Sequence, residues 1–114
     1  MKKLFLAIAL LLSNSAAIAD AGIRYAPLGY CQLTSLGSST LVSSCSGFPA
    51  SATTAVIRTE TQSVRWRDDG TAPTSSAGML MLAADAPYVY TGAISKLRFI
   101  EVTSGAKLNI LFYK

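Results

Sequence analysis

Val64-Arg65-Trp66-Arg67-Asp68-Asp69-Gly70, running on into Thr71-Ala72-Pro73-Thr74, sets the chain's single tryptophan between two arginines and follows it with two adjacent carboxylates. At the side-chain period of two that a strand imposes, Val64 and Trp66 share one face and Arg65 and Arg67 the other. Asp68-Asp69-Gly70 then supplies residues that accept positive φ in a turn. The stretch reads as a half-buried strand with Trp66 in the core, closed by a turn and by the small-residue loop Thr71 to Ala77, which Pro73 stiffens. Catalysis or metal binding by Asp68 and Asp69 fits less well. Neighbours in a strand point to opposite faces, and no third acidic ligand stands nearby to complete a hard-cation cage.

The rest of the chain has the same texture. After residue 20 no helical period is sustained, and short runs rich in Val, Ile, Thr, Tyr and Phe recur between Gly, Pro, Ser and Asp clusters. Strands are predicted at Tyr30 to Leu36, Thr40 to Ser44, Ala55 to Thr61, Ser63 to Asp68, Gly78 to Ala83, Tyr88 to Thr91, Lys96 to Thr103 and Ala106 to Tyr113. So many short strands in one domain's worth of chain predict an all-β fold, a single small β-sandwich or jelly-roll-like domain.

Residues 20 to 114 form that predicted domain, and residues 1 to 19 stand apart from it. Lys2 and Lys3 precede the apolar run Leu4 to Leu12, and Ala17-Ile18-Ala19 offers the small residues that a signal peptidase inspects. The run is shorter than the roughly 20 residues of a permanent span, which favours a cleaved export signal over an uncleaved anchor. Cleavage removes two of the ten basic residues and none of the six acidic ones, so the formal charge falls from +4 to +2. The remaining basic residues are scattered, which argues against nucleic-acid binding, and a membrane enters only if the signal is retained.

With no histidine, most zinc sites and every Ser-His or Cys-His mechanism are excluded; no catalytic residue, cofactor or small-molecule substrate is expected. Cys31 and Cys45 are the only cysteines, and in an exported chain they are expected to pair. Folding Gln32 to Ser44 as a hairpin about Gly37-Ser38-Ser39 places Cys31 opposite Cys45, where a cross-strand disulfide can close.

Three groups are candidates for contact with other molecules. Arg65 and Arg67 would form a ledge about 7 Å long, suited to carboxylates across a subunit boundary. In the last two strands Ile100 follows Phe99, and Leu111 and Tyr113 interleave with Leu108, Ile110 and Phe112, so both faces are partly apolar. Those strands are either covered on each side within the domain or have Ile100, Leu111 and Tyr113 buried by another subunit. Tyr88 and Tyr90, two apart on one strand face, could form a platform for a sugar ring or serve the core.

The combination VRWRDDGTAPT, Gly78-Met79, Tyr90-Thr91-Gly92, Ser95, Phe99-Ile100-Glu101 and Gly105-Ala106-Lys107-Leu108-Asn109 with a closing aromatic pair resembles a family of small proteins of tailed phages and prophages. Gln32-Leu33-Thr34-Ser35-Leu36 and Pro49 ahead of Ala55-Val56-Ile57 extend the resemblance over residues 30 to 114. It implies an all-β virion component of capsid or tail surface, contacting copies of itself and other virion proteins, with no catalytic residues. The chain departs from that pattern in its export signal and in Val42 to Phe48, which reads as an insertion bringing Cys45. The departures point to a virus assembling at the envelope, to an anchored virion protein, or to a phage-derived module reused as a secreted binder of a glycan or surface protein.

Overall fold

The computed structural model describes residues 24–114; the expected signal, Met1 to Ala19, lies outside the described residues. The strands are β1 (Pro27–Leu33), β2 (Thr40–Leu41), β3 (Thr54–Glu60), β4 (Val64–Arg67), β5 (Met79–Met81), β6 (Tyr88–Tyr90), β7 (Arg98–Glu101) and β8 (Lys107–Tyr113). Two four-stranded antiparallel sheets result, ordered β1-β8-β3-β6 and β2-β7-β4-β5. Every connection except β4–β5 passes from one sheet to the other. This is the strand order of a double-sheet jelly roll, in which the first strand pairs with the last and each later strand lies against one drawn from the opposite end of the chain.

The alternation that predicts strands also fills the space between the sheets. On β8, Leu108, Ile110 and Phe112 are buried while Lys107 and Leu111 are exposed; on β3, Ala55, Ile57 and Thr59 face the same interior. The opposing sheet contributes Val64, Met81 and Phe99. β3 and β8 pair in register along their whole length, from Thr54 with Tyr113 to Glu60 with Lys107. Thr59 brings a hydroxyl into this interior without cost in unpaired groups, because it lies 2.8 Å from the Gln62 carbonyl.

Cys31 and Cys45 are bonded, with Cα atoms 6.1 Å apart, but not across a hairpin. β1 pairs with β8, placing Ile110 opposite Cys31, and β2 pairs with β7 in the other sheet. The chain changes sheets between Leu33 and Leu36, whose carbonyl accepts a bond from the Glu101 amide at 2.9 Å. The predicted strand Thr40 to Ser44 is likewise cut short, and Val42–Ser44 forms a 3-10 turn. Val42 and Cys45 are both buried and three residues apart. A strand would send them to opposite faces, whereas a three-residue turn puts them on one. Ile94 and Leu97 repeat the device, so Lys96 ends a 3-10 turn and β7 starts only at Arg98. The disulfide therefore ties the first sheet to the turn that follows β2.

Candidate interaction surfaces

β5 and β6 are edge strands of opposite sheets, and Trp66 fills the margin beside them. The sequence places Trp66 in the core, but its ring is only half-buried, packed against the core from its margin. The indole meets Tyr90 edge-on at 5.9 Å and Tyr88 at 5.8 Å, tilted by 42°. β4 is only four residues long and Trp66 sits one residue from its end, where no further strand covers it.

Tyr88 and Tyr90 share a strand face, as their spacing requires, and it is the inward one. Tyr90 is buried and Tyr88 is 45% exposed, so only Tyr88 offers its ring to a ligand. The Tyr90 hydroxyl donates to Asp68 Oδ2 at 2.6 Å. Burial first, and then the adjacent Asp68 carboxylate, push the Tyr90 phenol up to about 12. The folded state thus holds a proton that the unfolded chain releases near pH 10, and this contribution is fully present below that pH and lost as pH rises through 12. Between those limits stability is expected to fall by about 1–2 kcal/mol beyond the loss in Tyr90→Phe, a difference that urea melts at pH 9 and pH 12 will show.

Arg65 and Arg67 point away from the core, but they do not form a shared ledge. Arg65 is turned onto the loop after β4, donating from Nε to the Ser75 carbonyl at 3.2 Å and from Nη1 to the Gly78 carbonyl at 2.9 Å. That loop is built to receive it. Pro73 is buried, the Thr74 hydroxyl accepts from the Ala77 amide at 3.0 Å, and Gly78 has φ of +134°, with space for a Cβ only 3.1 Å from Pro73 and 3.2 Å from the Trp66 carbonyl. Arg67 pairs with Asp69 through two bonds, Nε to Oδ1 at 3.0 Å and Nη2 to Oδ2. The bond from Arg67 holds the Asp69 carboxyl below its ordinary range.

Around Trp66 the surface opens into two hollows. One, of about 390 Å³, is walled by Trp66, Arg67, Asp68, Asp69, Gly78 and Met79. The other, of about 140 Å³, runs from Trp66 past Met79 and Met81 to Asp85 and Tyr88. The sequence sets Asp68 at the end of the strand and the start of its turn, with a catalytic or metal-binding pair with Asp69 as the weaker reading; its bond to Tyr90 depends on the packing of two sheets and leaves no local signal.

A second surface is the outer face of the β1-β8-β3-β6 sheet. Tyr30, Val89 and Leu111 are exposed there, with Val56 and Tyr113 half-buried between them and Tyr25 beside Tyr113. Two shallow hollows flank Val56, one of about 180 Å³ between Tyr25, Val89 and Tyr113 and one of about 220 Å³ between Tyr30, Pro87 and Leu111. The polar side chains bordering this face are bonded to one another. Asn109 Oδ1 accepts from the Tyr30 hydroxyl at 2.6 Å and from Gln32 Nε2 at 3.0 Å. Ile100 is half-buried on the outer face of the other sheet, opposite Arg65, so it does not join Leu111 and Tyr113 in one patch.

Among the described residues no helix is long and apolar enough to cross a membrane. Comparison of the chain with known protein families, with curated proteins and with solved structures finds no match.

Proposed function

We propose that the protein is a non-enzymatic structural component of a phage-type particle, placed at the capsid or tail surface and acting through contacts with copies of itself and other particle proteins. The observation that carries this reading is β8, which presents Leu108, Ile110 and Phe112 to the core and Leu111 and Tyr113 to the outside. A strand apolar on both faces is the pattern of a sheet with a layer on each side, and the domain supplies one layer. Tyr30, Val56 and Val89 extend the apolar area across neighbouring strands, and contiguous patches of this kind mark protein contacts. The free edges are poor sites for strand addition: β2, β5 and β6 have two or three residues, and β1 begins with Pro27 and an irregular register at Gly29. Contact through the face is left as the better route. The jelly roll adds an analogy only, since viral capsid domains share it with lectins and cupins.

The disulfide supports an exported location, with Met1 to Ala19 as the signal, because such bonds persist in oxidising compartments. The purified domain is expected to self-associate at micromolar concentration. Leu111→Asp should render it monomeric in sedimentation and leave the thermal midpoint unchanged in samples dilute enough for the wild type to be monomeric too, because an exposed side chain contributes little to the isolated fold. A wild-type chain that sediments as a monomer throughout, and that mass spectrometry does not find in purified particles, would overturn the proposal.

A further inference from the structure

We infer that the hollows around Trp66 are a binding site for a neutral glycan, with one pyranose ring lying over the joined aromatic surface of Trp66 and Tyr88. A pyranose has an apolar C–H face and a rim of hydroxyls, so it needs an aromatic surface bordered by hydrogen-bonding groups. Trp66 belongs to both hollows, and Tyr88 stands against it, 45% exposed, with ring centroids 5.8 Å apart and a tilt of 42°, so the two rings make one apolar surface. The border is supplied from two segments. Asp68 gives one oxygen to Tyr90 and Asp85 gives one to the Leu82 amide, and the second oxygen of each has no partner among the described residues. Both carboxylates are thus oriented by the fold while keeping an acceptor for a sugar hydroxyl, a short charge-assisted bond. Arg67, aligned by Asp69, adds a donor on the same side.

Two other ligand classes fit less well. An ammonium cage needs aromatic walls on several sides, yet Tyr90 is buried and its phenol lies directly over Gly92. An acidic polysaccharide or phosphate would meet Asp68 and Asp85, which Arg67 does not neutralise because it is already paired with Asp69.

As the sole tryptophan, Trp66 reports on its own occupancy. Cello-, chito-, malto- and manno-oligosaccharides, and choline as the cationic control, would be titrated into the intact domain while its emission is followed. At least one oligosaccharide is expected to give a saturable change. Tyr88→Ala should weaken that binding about tenfold or more with the melting curve unchanged, and Asp68→Asn, which keeps the acceptor for Tyr90, should weaken it several-fold. No saturable response to any of the four sugars, a response to choline alone, or sugar binding that survives both substitutions would overturn the inference. Leu111→Asp lies on the outer face of the β1-β8-β3-β6 sheet, away from Trp66 and from the inward face that carries Tyr88, and serves as the control, leaving sugar binding intact whatever it does to self-association.

Discussion

Phe112→Ala is expected to cost about 3–5 kcal/mol, a large part of the 5–15 kcal/mol that stabilises a typical domain. Phe112 is 1% exposed on β8, the strand that pairs with both β1 and β3, and its ring meets Phe48 edge-on at 5.5 Å. Removing it opens a cavity between two sheets whose positions are fixed by main-chain ladders, so the walls have little freedom to close. Urea denaturation at neutral pH would measure the loss. Phe48→Leu is expected to cost much less, because Phe48 is only half-buried, and the pair should show coupling in a double-mutant cycle. Equal costs for the two would mean that the Phe48 segment, not β8, closes this end of the core.

The strands of this fold could be read from the sequence because alternation is local. Lys107 to Tyr113 shows its burial in its own spelling, and each of the eight predicted strands overlaps one in the structure. Sheet membership is not local. Gly37-Ser38-Ser39 has the composition of a hairpin turn, and nothing within it indicates that the next strand will pair with β7 instead. The clue lay just beyond, in the three-residue spacing of Val42 and Cys45, which only a 3-10 turn turns to one side. Counting outward from Ser38 thus found the right cysteine partner through the wrong geometry. Trp66 is a similar case. Its face was legible, but its depth depends on how far β4 extends before Asp68, and the hollow it lines depends on β6 arriving from the other sheet. The two arginines divide in the same way: pleating sends both outward, but Arg65 is taken up by a loop ten residues downstream and Arg67 by Asp69, two residues on.

Replacing both cysteines with alanine, or reducing the bond, is expected to lower stability by about 2–4 kcal/mol, the range for loops of this length. The position of the bridge argues for a cooperative effect. The cysteines are 14 residues apart, and the bond joins β1 to the turn that carries Val42 into the core. From Cys45 the chain runs directly to Phe48, whose amide bonds back to the Cys45 carbonyl at 3.1 Å and whose ring covers Phe112. One covalent tie therefore fixes the start of a segment that also caps the core at β8. If the tie acts only on the unfolded chain, the cysteine double variant and Phe48→Leu should be additive. If it also holds Phe48 in place, the triple variant should lose less than the sum, and amide exchange in residues 45 to 48 should rise in the cysteine variant well before the sheets exchange. The second outcome is expected, because Ser44, Cys45 and Phe48 bond only to close neighbours, Leu41, Val42 and Cys45, whereas the long-range bond of this turn, from the Val42 amide to the Leu97 carbonyl at 2.9 Å, lies ahead of them. A cysteine variant that melts like the parent would show that packing of Val42 and Phe48 suffices without the bond.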